Sequence, residues 1–456
     1  MQKTNGNSFG LWMLAWPIFL EIFLQTLLGT VDTLMVSRIS DDAVAVVGIS
    51  SQLFGALITL FTSFAGGAGI LIAQRMGSGR LEDAGRFALM GVTFSGALSI
   101  LLSLALFLFA GPIGGMLGIA DSLRPMASVY ISYVGGGMFL VGLSISFGTA
   151  IRNTGYTRGP MYTGVAINVL HIALNYLFIF GALGFPKLGL EGIAWSNLIS
   201  RLIGAALLYV MFRQCFGDRV RLREFFALKL AYVKEIIKIA WPIGIQASSW
   251  TFSQLLVYSF ISWIGTEALA ARTYLNTLES YCFTLGYAVA MAGQIRTAHL
   301  FGGGRIVEAY RGAYRTLYIG WIIVISNMLL MWGLGRPLIG LFTHNPDIQA
   351  LCLSMLAINL LLQPAKMLNM AMSNALNAIG DTRFTMCTAL VSMSVIGVGC
   401  AYAFGVEAGL GLAGIYWCML ADETVRGMLV LSRWRSGKIL RARERRAGTA
   451  AIAEQA

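Results

Sequence analysis

Two carboxylates stand inside one long apolar run. Glu21 and Asp32 lie within Trp16–Arg38, WPIFLEIFLQTLLGTVDTLMVSR, and nothing else there carries charge before Arg38 closes the run. They are 11 positions apart. At ~100° per residue that is close to three turns, so a helix presents both on one face, roughly 16 Å apart. An ionised carboxylate at mid-bilayer costs roughly 3 kcal/mol or more, so Asp32 must face protein or a water-filled cavity. Desolvation pushes such an acid towards its neutral form unless a cation sits beside it. A group balanced in that way can take up and release a proton, which is what ion coupling needs.

A second set of charges stands in the later apolar runs. Glu279 and Lys366 fall in different spans. An unpaired charge there would be costly, so a buried ion pair is expected, with Glu279 as an attractor of cationic substrate the alternative. Glu21, closer to the inner end of its span, is a candidate for direct substrate contact. Trp250, Tyr258 and Met35 are candidate cavity-lining residues, since ring faces and adaptable thioethers suit flat cationic compounds. Arg201 and the Asp422, Glu423, Arg426 group are expected near the inner ends of their spans, held by snorkelling and local pairing.

Other chemistries find no support. The three histidines (His171, His299, His344) are far apart, and the six cysteines are scattered without a CxxC. There is no HExxH, GxSxG or paired aspartate motif, so a membrane enzyme is disfavoured and neither metal nor cofactor is expected. The clusters at Gly66–Gly69 and Gly302–Gly304 lack the GKS or GKT and the βαβ setting of a nucleotide loop.

The elements that must position these residues follow from composition. Of 456 residues, 57% are hydrophobic and only 12% charged, with mean hydropathy +0.72. A soluble domain carries about 25% charged residues, so the chain reads as an all-α integral membrane protein. Twelve spans are expected at about 11–37, 44–72, 87–110, 125–150, 161–181, 191–212, 236–263, 269–295, 316–335, 349–376, 385–405 and 412–432. The first run is too long for a cleaved signal peptide and lacks its exit site. The net charge of +12 does not point to nucleic acid, because the basic residues sit in short loops and at the C-terminal end. With a cytoplasmic N-terminus, roughly 25 of the 33 Lys and Arg fall inside, which places both termini in the cytoplasm. A multi-pass protein of a bacterial plasma (inner) membrane is expected, working as a monomer in the lipid bilayer.

The chain repeats itself. Ala15–Ile18, AWPI, recurs at Ala240–Ile243, an offset of 225. The same offset relates Gly77, Gly79 and Arg80 to Gly302, Gly304 and Arg305, Pro112 to Pro337, and Gly155, Thr157 and Arg158 to Gly380, Thr382 and Arg383. Late in each half it slips to 222, matching Gly192-Ile193 and Trp195 to Gly414-Ile415 and Trp417. Each repeat holds an even number of spans, so the two are parallel and related by an axis along the membrane normal. The expected division is an amino lobe 1–212, a cytoplasmic linker 213–235, a carboxy lobe 236–432 and a basic tail 433–456.

These features resemble the multidrug and toxic compound extrusion (MATE) transporters. WPI opens spans 1 and 7, VDTLMVS lies in span 1, NYLFIFG at Asn175–Gly181, GLEGIAW at Gly189–Trp195, and GDTR follows span 10. The resemblance implies V-shaped amino and carboxy lobes, and antiport of small organic compounds against protons or sodium. Asp32 falls on the family's essential span-1 aspartate. Pro17 falls on the proline where that helix is proposed to bend, with Gly29 as a second hinge point. Asn175 matches a polar position facing the aspartate, His171 stands where asparagine is usual, and Asn197 where threonine is common. The implied cation-coupling cluster is therefore Asp32, His171, Asn175 and Asn197. The first span looks closest to the DinF-like branch, and the sodium-coupled NorM-type pattern is broken in the carboxy lobe: its span-7 glutamate position is Trp250 and its span-10 aspartate position is Lys366, which speaks against sodium coupling there. Histidine titrates at about pH 6.5 when unperturbed, which suits a proton partner. The expected function is multidrug efflux of cationic or amphipathic compounds in exchange for protons. The alternatives are a sodium-coupled antiporter of this family or a lipid-linked glycan flippase of its superfamily.

Overall fold

A computed structural model describes residues 10–184, 186–217 and 229–437. Its regular elements are helices, twelve of them long: α1 Leu11–Ser37, α2 Asp41–Gly77, α3 Leu81–Leu108, α4 Arg124–Asn153, α5 Arg158–Phe180, α6 Leu190–Phe216, α7 Leu230–Ile264, α8 Thr266–Gly302, α9 Ile306–Gly333, α10 Pro346–Ala378, α11 Thr382–Glu407 and α12 Gly411–Ser436. Among the described residues, nine of these are long and apolar enough to cross a membrane. The remaining three, α7, α8 and α12, are long enough but more polar. They carry Ser253 and Gln254, then Arg272 and Glu279, then Asp422, Glu423 and Arg426. Residues 218–228 of the expected linker and 438–456 of the expected tail lie outside the described residues.

The two halves repeat helix by helix. α2 and α8 are each 37 residues and α3 and α9 each 28, and their bounds differ by the 225 residues read from the motifs. The fold is thus two six-helix repeats. Local chemistry sets the ends. Ser40 caps α2 by accepting from the Ala43 amide at 3.1 Å, with Asp41 and Asp42 in the first turn and Arg75 in the last, which complements the helix dipole.

Close helix approach depends on small residues, and the repeats differ in which helix supplies them. In the first half Gly91 of α3 faces Ala68 of α2, where an added Cβ would stand 2.7 Å from that of Ala68. At the equivalent place in the second half the glycine is Gly293 of α8, and α9 supplies the larger Thr316. Each seam keeps one glycine, and the side that supplies it is exchanged between the repeats.

The chain forms two compact units. One is built from Leu20–Gly244; the other gathers the described part of Asn7–Phe19 and Ile245–Ala456. The division falls inside α1 after Phe19 and inside α7 after Gly244, each time two residues past a proline, Pro17 or Pro242. A proline within a helix removes one i to i−4 hydrogen bond and crowds the preceding turn, so both boundaries sit at built-in weak points. α1 and α7 also touch their neighbours only sparsely.

Candidate functional site

In the first unit α1, α5 and α6 bring four polar side chains together. His171 and Asn175 are four residues apart on α5, so both project from one face. Asn175 donates from Nδ2 to Oδ1 of Asp32 at 2.9 Å. His171 places Nε2 at 3.1 Å from the same oxygen and Nδ1 at 3.1 Å from Oγ of Ser200. His171 is 3% exposed and Asn175 is fully buried, whereas the Asp32 side chain keeps 28% of its surface open. Asp32 is therefore the most open of the three.

The geometry fixes how protons are shared. Asn175 Nδ2 also stands 3.1 Å from Nε2 of His171, so a protonated Nε2 donates to Asp32 directly, while a bare Nε2 accepts from the same amide NH2 that donates to Asp32. Ser200 has a single hydroxyl hydrogen and three neighbours: Nδ1 of His171, the Ser196 carbonyl at 2.7 Å and the Asn197 carbonyl at 3.1 Å. When that hydrogen points to Nδ1, the imidazole carries its proton on Nε2 beside an ionised Asp32. When it turns to a carbonyl, Nδ1 carries a hydrogen and donates to Oγ, and Nε2 is either bare, accepting from Asn175, or protonated beside Asp32. Rotation of one hydroxyl accommodates a neutral and a charged imidazole alike.

Asn197 does not join this group. Its Oδ1 accepts from Nε of Arg201 at 2.5 Å, and Ser200 takes the α6 place instead. The reason is helical geometry: Asn197 and Arg201 are four residues apart and satisfy each other, which turns the amide away. Arg201 lies in the middle of α6 rather than at its inner end, close enough to Asp32 to feel its charge. Tyr130 is likewise within electrostatic reach of Asp32.

Other sequence candidates are placed differently. Glu21 accepts two hydrogen bonds from Nη1 of Arg152, at 2.7 and 3.0 Å, in a pair that ties α1 to α4. A carboxylate matched by a guanidinium has little charge left for a substrate, which corrects the expectation of an open acid there. Met35 is half-buried against the core around Val36 and Val46. Pro17 is the seventh residue of α1, inside the helix. An added Cβ on Gly29 would meet nothing within 4 Å. Between Gly29 and Pro17, and on to Asp32, the hydroxyls of Thr26, Thr30 and Thr33 bond back to the carbonyls of Ile22, Thr26 and Gly29. Such back-bonding competes with the helix ladder and favours bending.

The second unit holds a different cluster. Glu279 and Lys366 form the expected pair at 3.5 Å, but Glu279 has a stronger partner that the sequence reading missed. Arg272, fully buried one helical repeat earlier on α8, places Nη1 at 3.3 Å from both Glu279 oxygens and donates to the Tyr416 hydroxyl at 2.9 Å. Tyr416 and Asn359 donate to Glu279 at 3.0 and 2.7 Å, and the Tyr258 ring lies 5.6 Å from the guanidinium. Two cations share one carboxylate. The surroundings repel a metal ion, and Glu279 is taken up by its neighbours instead of facing a cationic substrate.

Asp422, Glu423 and Arg426 are also not where simple snorkelling would put them. They lie mid-helix in α12 and are buried. Arg426 bonds Asp422 at 2.6 Å and Glu423 at 2.7 Å. Ser392 donates to Asp422 at 2.6 Å and Asn369 to Glu423 at 2.8 Å.

Twelve long helices in two six-helix repeats, with a partly open acid beside a buried histidine, define a multi-pass helical membrane transporter. The chain belongs to the MatE family, whose model matches residues 17–177 and again 242–403. Both matches begin at the helix prolines, and they are spaced by the same repeat. An uncharacterised transporter of Bacillus subtilis, YisQ, is 35% identical over 96% of each chain. A probable multidrug resistance protein NorM of Thermotoga maritima is 27% identical over 93% of this chain and 91% of its own. Among solved structures, a MATE protein in the bent conformation superposes with a TM-score of 0.88 at 20% identity, covering 96% of each chain. An outward-facing multidrug resistance MATE transporter gives 0.85 at 20% identity, covering 94% of this chain and 95% of its own. At such identity these two speak for the fold.

Proposed function

We propose that this protein is a proton-coupled multidrug exporter, exchanging protons for small cationic or amphipathic organic compounds. It does so across a bacterial plasma membrane, with both termini in the cytoplasm and a single chain as the working unit. The carrying observation is the Asp32–His171 contact at 3.1 Å, which joins two titratable groups, of which Asp32 keeps 28% of its side chain open. Relatives named as multidrug resistance proteins support the efflux reading.

The cycle follows from charge. Open to the outside, ionised Asp32 favours a cationic substrate in the amino-lobe cavity. Proton uptake neutralises Asp32, α1 shifts about Pro17 and Gly29, and the substrate loses its counter-charge and leaves. Inside, the proton departs and the next substrate enters. Exchange of one proton for one monovalent cation moves no net charge, so the pH gradient drives it; a neutral substrate would let the membrane potential add about 2.3 kcal/mol per 100 mV.

Sodium fits less well. An imidazole nitrogen stands 3.1 Å from Asp32, whereas hard cations want oxygen ligands; the one amide oxygen nearby without a partner is Oδ1 of Asn175. Arg272 and Lys366 occupy the carboxy lobe with positive charge, in keeping with the DinF-like pattern. A glycan flippase would want several free basic groups for phosphates, yet these two are held on Glu279. The test is dye efflux and substrate counterflow in proteoliposomes under an imposed pH gradient, in sodium and in potassium buffer. Asp32→Asn is expected to lose proton-driven efflux while still folding. Full proton-driven efflux by that variant, or a strict sodium requirement in the unmodified protein, overturns the proposal.

A further inference from the structure

α8 ends and α9 begins at a corner that the orientation proposed above puts at the inner membrane surface. The two repeats build this corner differently. In the first, Leu71 of α2 and Met90 of α3 are buried in an apolar cluster together with Val233 and Ile236 of α7. The 225-residue offset puts Arg296 of α8 and Arg315 of α9 at those two places. Where one repeat packs two apolar side chains, the other sets two guanidiniums.

These arginines have no counter-charge of their own. Arg296 is half-buried and Arg315 exposed, and neither forms an ion pair among the described residues. Arg315 and Arg305 both act on Arg296 as like charges. Glu308 is the acid within reach, but Arg305 holds it with two hydrogen bonds, at 2.6 and 2.5 Å. A guanidinium stays charged at any physiological pH, so loss of a proton cannot relieve the pair. Arginines that only set topology reach into water. Nε of Arg296 does not: it is shut off from solvent and has no hydrogen-bond partner among the described residues. Buried N–H donors nearly always find an acceptor, and one flanked by other guanidiniums calls for an anionic acceptor.

We propose that Arg296 and Arg315 hold a phosphate group, carried by an acidic phospholipid of the inner leaflet. The planar fork of arginine matches phosphate oxygens two at a time. Basic sites between membrane helices on the cytoplasmic side are suited to anionic headgroups. The proposal takes from the function above only the orientation of the chain, and it holds whatever compound is carried.

The surface beside the pair favours a lipid over free phosphate. Arg315 heads one face of α9, on which Tyr318, Ile322, Ile325 and Leu329 follow at helical spacing. All four are exposed, by 57, 67, 37 and 51%. From Arg315 to Leu329 this apolar stripe runs about 21 Å at 1.5 Å per residue. One leaflet of hydrocarbon is about 15 Å deep, so acyl chains hanging from a phosphate at Arg315 lie along the stripe for their full length. Inorganic phosphate would use the guanidiniums and leave the stripe untouched.

The experiment follows the unfolding temperature of the full-length protein in detergent. Three additives are titrated: dioctanoyl phosphatidylglycerol, dioctanoyl phosphatidylcholine and inorganic phosphate. A ligand that binds the folded state raises that temperature in a dose-dependent way. Phosphatidylglycerol is expected to do so at lower concentration than either of the others. Arg296→Leu/Arg315→Met installs the residues of the first repeat and is expected to shift the phosphatidylglycerol midpoint about 30-fold upward. Arg315→Met alone, at an exposed position that leaves folding intact, is expected to shift it about fivefold. Arg158→Gln/Arg383→Gln removes two exposed arginines from other inner loops and is expected to shift it less than about threefold. An equal response to phosphatidylcholine overturns the proposal, as does an unmoved midpoint in Arg315→Met or the same loss in the Arg158→Gln/Arg383→Gln control. A response to inorganic phosphate as strong as that to phosphatidylglycerol, lost with the same arginines, overturns the lipid as the source. No transport is read in this assay, so its failure leaves the efflux reading standing.

Discussion

Nε2 of His171 stands 3.1 Å from Oδ1 of Asp32, and Nδ2 of Asn175 lies within 3.1 Å of both, joining α5 to α1. The other ring nitrogen meets Ser200, whose hydroxyl bonds the α6 backbone. One hydrogen-bond network thus spans three helices of one repeat, and α1, the helix carrying the acid, is the one of the three most weakened by proline and back-bonded threonines.

Replacing His171 by glutamine keeps a hydrogen-bonding side chain and removes the titrating one. Proton-driven dye efflux in proteoliposomes is expected to fall about tenfold or more, the loss that goes with one hydrogen bond to a charged group. Thermal unfolding in detergent should change little. Efflux close to that of the unmodified protein would mean that His171 only positions Asp32.

Ser200→Ala removes the hydroxyl that adapts to either protonation state of the imidazole. A neutral hydrogen bond is worth about 1 kcal/mol, so transport is expected to slow about fivefold, with Ser200→Thr restoring most of it. The comparison of the two variants at several external pH values reads the effect. A purely structural serine would leave the shape of that profile unmoved.

Glu279→Gln leaves Arg272 and Lys366 without an anion in a buried setting. The variant is expected to lose about 3–5 kcal/mol of stability, seen as a lower unfolding temperature or poor expression. Lys366→Met should cost much less, because Lys366 is the longer-range partner at 3.5 Å and 19% exposed. Equal costs for the two would contradict the reading of Arg272 as the principal partner.

Glu21→Gln leaves Arg152 unmatched and is expected to cost about 2–4 kcal/mol. The double variant Glu21→Gln/Arg152→Gln should recover a good part of this, since neither charge is then stranded. Measured in a dye panel, the double variant should keep the substrate range of the unmodified protein. A selective loss of cationic dyes would return Glu21 to the substrate site.

Much of this was legible in the residues, for identifiable reasons. Duplication preserves spacing, so the AWPI and GDTR motifs carried the offset that the helix bounds repeat. Asp32, His171 and Asn175 stand out because polar groups are rare in apolar runs and four-residue spacing puts two of them on one face. Ser200 did not stand out, since serines are common in such helices, and the more conspicuous amide of Asn197 drew attention one turn too early. Arg272 resembled an interfacial arginine near the start of a span; its burial follows from Tyr416 and Asn359, which arrive from distant parts of the chain. The Asp422, Glu423 and Arg426 spacing is that of an ordinary surface group, and the expected span 412–432 already held it at mid-span, which the snorkelling reading overlooked.

The traded glycines of the two repeats carry a lesson for anyone who would splice one half into the other. Transplanting the α8 sequence alone into the place of α2 sets Gly293 against Gly91 and opens a hole; transplanting α9 alone into the place of α3 sets Thr316 against Ala68 and jams the seam. The second and third helices of each half have to be inherited as a couple, so after the ancestral doubling their divergence proceeded by matched steps across a shared seam.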